Sequence, residues 1–313
     1  NNTAYGAYSL YENTTGDKNQ SFGYQSLNNN TTGSDNTAIG YQSLYSNTTG
    51  TKNLAIGYSA YDNADTENDN LAIGYWALGG AIDGGEYNVA IGNYSLGANT
   101  TGDYNVAVGY NSLTGNTTGN YVTAIGGKAL QANTTGTGNT AVGTDALESN
   151  TTGASNTVSG WNSMLSNTTG SSNVAMGVNT MFANTTGGFN TAVGSNSLYA
   201  NTTGSNNTAY GWKALCGNTT ADANTASGYK ALLTNTTASY NAAVGACALY
   251  TNTTGAQNTG VGYNALNGPN SNTYNVAVGV YALDEISGGS NNTGLGYMAL
   301  TSLSSGASNV GVG

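Results

Sequence analysis

The chain of 313 residues has no histidine, one proline, two cysteines and only 6% charged residues. The missing histidine removes Ser-His-Asp and Cys-His catalysis and most zinc sites. No run of about 18 apolar residues is present, so no membrane-spanning helix is expected. No lipidation motif or leader-like segment is found either. Five basic residues stand against fifteen acidic ones, for a net charge of −10. That balance argues against nucleic acid and against an anionic membrane surface, both of which call for basic groups. The acidic residues are scattered among turns without a recurring pair, so no glycosidase-type carboxylate pair is indicated. Aspartate has no fixed place in the glycine-rich turns, which excludes the calcium-binding nonapeptide roll. The GxG patterns are by-products of repetition and lack a phosphate-binding context. No enzyme, cofactor or metal site is expected.

A repeat of 17 residues runs from end to end, with Asn36–Lys52 (NTAIGYQSLYSNTTGTK) as its clearest copy. Counted from the glycine that closes the apolar run, seventeen of the eighteen intervals between Gly6 and Gly313 are 17 residues, and Gly74 to Gly92 is 18. Four residues before that glycine stands Asn in 18 of 19 units, broken only by Val122. Two before it stands a small residue, mostly Ala, and one before it mostly Ile or Val. Three after it stands Ser, Ala or Thr, and four after it Leu in 15 of 18 units, replaced by Tyr61, Met164 and Met181. Asn-Thr-Thr follows at seven to nine after the glycine in 13 of 18 units.

A fixed period of this size marks a solenoid. The apolar positions do not follow helical spacing. TAIGY alternates as a strand does, with Thr37, Ile39 and Tyr41 on one face and Ala38 and Gly40 on the other. NTTG is turn chemistry. The expected fold is all-β: a parallel β-solenoid or β-roll of 17-residue coils, each with two short strands and a polar turn. Eighteen coils stacked ~4.8 Å apart would make a rod of roughly 85 Å. A Leu ladder and an Ile/Val ladder are expected inside. The Asn column is expected at a corner, its amides bonding from coil to coil.

No domain boundary is visible over 1–313. The variant turns at Asp62–Asn70, in the insertion between Asn70 and Val89, and at Pro269-Asn270-Ser271, Ile286-Ser287-Gly288 and Leu303-Ser304-Ser305 read as tolerated surface changes. The array starts and stops without an atypical capping unit, so an internal stretch of a longer fibre protein is expected. Cys216 and Cys247 sit in different columns two coils apart, about 10 Å along the axis and beyond disulfide reach; small slots account for them.

Two columns carry the functional signal. Asn13, Asn30, Asn47, Asn99, Asn116, Asn133, Asn150, Asn167, Asn184, Asn201, Asn218, Asn235 and Asn252 each begin an N-x-T glycosylation sequence on a turn expected to be exposed. The threonines could instead carry O-linked sugar, or the motif could be a polar turn with Asn in the left-handed conformation. The second column follows the closing glycine: Tyr24, Tyr41, Tyr58, Tyr75, Tyr110, Trp161, Trp212, Tyr229, Tyr263 and Tyr297. It could stack a sugar or another flat partner; a cross-strand aromatic ladder stabilising the stack is the plainer reading.

The core NTAIGYQSL (Asn36–Leu44) resembles the head repeat of trimeric autotransporter adhesins of the YadA type, whose unit runs roughly S-V-A-I-G-x-x-A-x-A-x-G-x-x. Without Asn47-Thr48-Thr49 the unit matches that 14-residue pattern at AIG, the small residue and Gly. Three extra residues per coil, and Thr for Val at the strand start, are departures. The resemblance implies a left-handed roll, three identical chains side by side, and a place outside the cell. Similar arrays occur in phage tail-fibre-like proteins.

Trimerisation has a second argument. The apolar burial offered by one coil is small beside the entropy of ordering 17 residues. The small-residue columns (Ala38, Gly40, Ser43) would let neighbouring chains approach. The expected function is an extracellular structural or adhesive fibre with a repetitive, sugar-bearing surface. Its expected partners are copies of itself, a host-surface protein or glycan receptor, and covalent glycans. A phage fibre shaft and a monomeric ice-binding solenoid are the alternatives.

Overall fold

The computed structural model describes residues 1–268 and 271–313; the turn variant at Pro269-Asn270 lies outside the described residues. The chain divides into two compact units, Asn1–Asn156 and Thr157–Gly313. The first holds β1 (Thr3–Tyr5), β2 (Gln20–Phe22), β3 (Thr37–Ile39), β4 (Leu54–Ile56), β5 (Leu71–Ile73), β6 (Val89–Ile91), β7 (Val106–Val108), β8 (Thr123–Ile125) and β9 (Thr140–Val142). The second holds β10 (Thr157–Ser159), β11 (Val174–Met176), β12 (Thr191–Val193), β13 (Thr208–Tyr210), β14 (Thr225–Ser227), β15 (Ala242–Val244), β16 (Thr259–Val261), β17 (Val276–Val278), β18 (Thr293–Leu295) and β19 (Val310–Val312). Within each unit every strand pairs in parallel with the next, in the repeat register: Ala38 opposite Ala55 in the first, Ala192 opposite Ala209 in the second. Each unit is therefore a parallel β-solenoid, and no helix occurs among the described residues. The 18-residue coil is absorbed between strands, since Leu71 still faces Val89.

Each coil has one three-residue strand, not the two expected. The segment after the closing glycine is a chain of turns, and the reason is backbone conformation. Three residues per coil are left-handed besides the closing glycine, non-glycine at every level except where Gly138 takes one place; around β3 they are Asp35 (φ 59°), Gln42 (φ 52°) and Leu44 (φ 50°). A second strand cannot run through two left-handed residues placed two apart. Leu in this region costs on the order of 1 kcal/mol, which the burial of its side chain, about 1.5–3 kcal/mol, offsets.

The Leu ladder lies inside as expected: Leu27, Leu44, Leu96, Leu113 and their equivalents up to Leu283 are fully buried, Leu10 and Leu300 at the ends are half-buried, and Tyr61, Met164 and Met181 fill the same slot. The Ile/Val ladder does not. Ile39, Ile125 and Val142 are each 39% exposed, while the central strand residue, Ala38 or Ala124, is fully buried. A coil this narrow has room for a methyl group opposite Leu, so the small residue faces in and the branched one faces out. Ala38 and Ser43 are buried within the coil, so those columns cannot be where chains touch, contrary to expectation. Gly40 (φ 139°) is a coil-to-coil contact: a Cβ there would lie 2.2 Å from the Gly57 carbonyl oxygen.

Candidate functional site

The Asn-Thr-Thr corner is built differently from an exposed turn. Asn30, Asn47, Asn99, Asn116, Asn133, Asn150, Asn167, Asn184, Asn201, Asn218, Asn235 and Asn252 are fully buried, and Asn13 is half-buried. None has positive φ. Where another ladder Asn stands one coil back, the Nδ2 donates twice; Asn13 and Asn99, which follow no such Asn, donate to the Gly16 and Gly102 carbonyls. Asn133 Nδ2 donates to Asn116 Oδ1 one coil back (2.8 Å) and to the Gly136 carbonyl (3.0 Å). Asn201 repeats this with Asn184 Oδ1 (2.8 Å) and Gly204 (2.9 Å). The atom that would carry an N-linked sugar is thus the donor of a buried amide ladder.

The two threonines complete the joint. The Thr31, Thr32 and Gly33 N–H groups all point at the Thr48 carbonyl (2.8, 3.2 and 3.3 Å), and Thr31 Oγ1 donates to it as well (3.0 Å). Thr185, Thr186 and Gly187 treat the Thr202 carbonyl alike. The first hydroxyl is therefore committed to the next coil, and the second threonine of each turn, such as Thr32, Thr118 or Thr203, is exposed.

The second Asn column sits at a corner and bonds from coil to coil, as the sequence led one to expect. Asn36 Nδ2 donates to the Gly50 carbonyl (2.7 Å), and Asn36 Oδ1 accepts the Asn53 N–H (2.9 Å). Val122 receives nothing from its side chain but still donates its N–H to Asn105 Oδ1 (3.0 Å).

One variant turn goes deeper than a surface change. Ala64 replaces the ladder Asn, and Asn47 Oδ1 consequently has no donor among the described residues. Glu67, 3% exposed, fills the corner: its carboxylate accepts the N–H groups of Asp65 (2.9 Å), Thr66 (3.1 Å) and Gly84 (3.1 Å). Tyr61 is buried alongside, its hydroxyl accepting from Asn70 Nδ2 (2.6 Å). Burial pushes the Tyr61 phenol well above its ordinary pKa.

The aromatic column forms the expected ladder, but on the surface. Tyr24, Tyr41, Tyr58 and Tyr75 stack in succession at 5.4, 4.8 and 5.2 Å between ring centroids, and all are at least 39% exposed. A second stack, Tyr87, Tyr104 and Tyr121, stands just before the Asn column at 4.8 and 5.3 Å. Sequence reading passed over it, although its 17-residue spacing was visible.

No cluster of three or more His, Cys, Asp or Glu residues able to hold a metal occurs among the described residues. No helix among them is long and apolar enough to cross a membrane. Both cysteines are free thiols. Comparison with family models, curated proteins and solved structures finds no match.

Proposed function

We propose that this chain is a structural and adhesive element of an extracellular fibre, with copies associating side by side as a trimer. The observation that carries the reading is the exposed outer face of the strands. Ile39, Ile91 and Ile125 in the first unit, and Val244, Val278 and Leu295 in the second, are each 36–42% exposed in one column. The aromatic column runs two residues further along the coil. Buried donors and acceptors hold coil to coil, while the outer columns repeat a mostly apolar pattern, Ile or Val in the strand and an aromatic ring in ten of the coils. Such a face suits a second copy of the same chain or a repetitive ligand better than a single small molecule. The ice-binding alternative is less well served, because the first threonine hydroxyl of each turn is already bonded to the next coil.

The test is the mass of the particle in solution by light scattering. Three chains are expected at micromolar protein, and Ile39→Asp with Ile125→Asp should reduce the particle to one chain while keeping its β-sheet circular dichroism. A wild-type particle of one chain at high concentration would remove the association from the reading.

A further inference from the structure

The five lysines fall into two arrangements. Lys18, Lys52 and Lys128 each have an aspartate in the same column one coil on: Asp35, Asp69 and Asp145. Lys18 Nζ lies 3.8 Å from Asp35, and Lys128 Nζ 3.6 Å from Glu148. Lys213 and Lys230 break this rule. They succeed one another in the column two residues after the closing glycine, and among the described residues neither makes an ion pair. Two ammonium groups on adjacent coils, ~4.8 Å apart at the backbone, repel each other without a carboxylate between them.

Aromatic rings, not carboxylates, are the neighbours of these two ammonium groups. Lys213 Nζ is 4.6 Å from the Trp212 ring centroid. Lys230 Nζ is 5.5 Å from Trp212, 5.2 Å from Tyr229 and 5.8 Å from Tyr250. Trp212 and Tyr229 stack at 5.1 Å and 17°, 39% and 50% exposed. Beside them a shallow cavity of about 260 Å³ is lined by Asn196, Tyr199, Lys213 and Cys216. The Tyr229 hydroxyl, bonded to Lys230, holds that ammonium protonated above the usual lysine range. The wider surroundings also favour an anion. Residues 1–156 carry twelve acidic groups against three lysines, whereas residues 157–313 carry only Asp222, Asp284 and Glu285 against these two.

We propose that Trp212, Lys213, Tyr229 and Lys230 form a binding site for an acidic saccharide, a pyranose unit bearing a carboxylate or sulfate. Trp212 and Tyr229 cover one face of each other, and the small column neighbours Ser195 and Ala246 leave the outer side of the pair to a sugar ring whose hydroxyl edges stay hydrated. The paired ammonium groups take the anion and lose their mutual repulsion. Asn196 and Tyr199, which line the cavity, carry an amide and a hydroxyl of the kind that bonds sugar hydroxyls. A nucleic-acid strand is disfavoured by the net charge of −10 and by a cationic patch of two lysines. The site gives the adhesive reading a ligand class, yet it needs only one chain and stands whether or not copies associate.

The experiment is isothermal titration of the whole chain with a uronic-acid trisaccharide, a sulfated trisaccharide and their uncharged parent, with the particle mass measured in the same sample. At least one anionic probe is expected to bind, and about tenfold more tightly than the parent. Affinity should fall about tenfold in Lys213→Gln/Lys230→Gln and in Trp212→Ala. It should be unchanged in Lys128→Gln, nearly kept in Trp212→Phe, and weakened by added salt. Should Trp212→Ala lose its β-sheet signal, the lysine double variant and Trp212→Phe carry the test. Equal binding of the uncharged parent, no binding at about 10 mM probe, unchanged affinity in the lysine double variant, or tighter binding of single-stranded DNA would each overturn the proposal. Because the mass is read in parallel, a monomer that binds would fail only the association, and a trimer that does not bind would fail only the site.

Discussion

Asn133 makes two donations and accepts one, from Asn150 Nδ2 (2.8 Å). Asn133→Ala strips partners from buried oxygens at Asn116 and Gly136, and a loss of about 1–3 kcal/mol in unfolding free energy is expected; urea titration reads it. The converse holds at Val122, the one member of the other Asn column without an amide. Val122→Asn would accept the Asn139 N–H and reach the Gly136 carbonyl, as Asn105 reaches Gly119 (2.9 Å). It should raise the urea midpoint by an amount equivalent to about 1 kcal/mol; a lower midpoint would show that the slot is shaped for Val. Peptide mapping of the folded chain should find Asn133 and its equivalents unmodified, because a sugar on Nδ2 cannot coexist with the ladder. The columns themselves were legible in the sequence, but their direction was not. Asn serves both exposed turns and buried ladders, and hydropathy alone sends Ile inward. The useful sign was variation among repeats: the Ile/Val column also accepts Tyr5, Phe22, Ser159, Tyr210 and Ser227, whereas the Ala column holds Ala, Gly or Ser everywhere but at Val158.

The coil is held by features that act together. Gly40→Ala would strain a φ of 139° and drive a methyl group to 2.2 Å from the Gly57 oxygen. A loss of at least about 2 kcal/mol is expected, read as a lowered thermal midpoint. In the irregular coil, burial raises the Asp62 carboxyl above the ordinary aspartate range. The folded state then holds its proton to higher pH than the unfolded chain does. Stability from this group accordingly rises as pH falls through its folded pKa, and it is lost where the carboxylate is ionised. Asp62→Asn should flatten that slope above the ordinary aspartate pKa of about 3.9 and raise the urea midpoint at neutral pH; a slope unchanged by the substitution would assign it to other carboxylates. The period, the strand position and the parallel stacking could be read from NTAIGYQSL. The missing second strand could not, because nothing in the residue types of Gln42 and Leu44 announces a left-handed backbone.

At the scale of the whole chain, charge is divided unevenly. Formal charges of −9 for residues 1–156 and −1 for 157–313 make up the −10. If the outer strand face covers a second copy, the acidic units repel where the weakly charged ones do not. Particle mass should then shift toward smaller species at low ionic strength and recover with added salt, over the range where the Debye length falls from about 30 to 10 Å; a salt-independent mass would show that the contact lies away from the charged turns. Fold class was available from periodicity alone, since the strand pairing repeats from one level to the next. The lysine pair was not, because a site that breaks a repeat is visible only once the repeat's columns have been placed in space. The longer coil between Gly74 and Gly92 bears on how such a chain changes length. Its extra residue leaves Leu71 opposite Val89, so a slip in the turn is repaired before the next strand. A gene for this array can gain or lose whole units by recombination between its own copies, and each product meets its neighbour with the same bonds as before. Length is then the property most open to inherited variation, while the sequence of any one coil is constrained by the coils on either side.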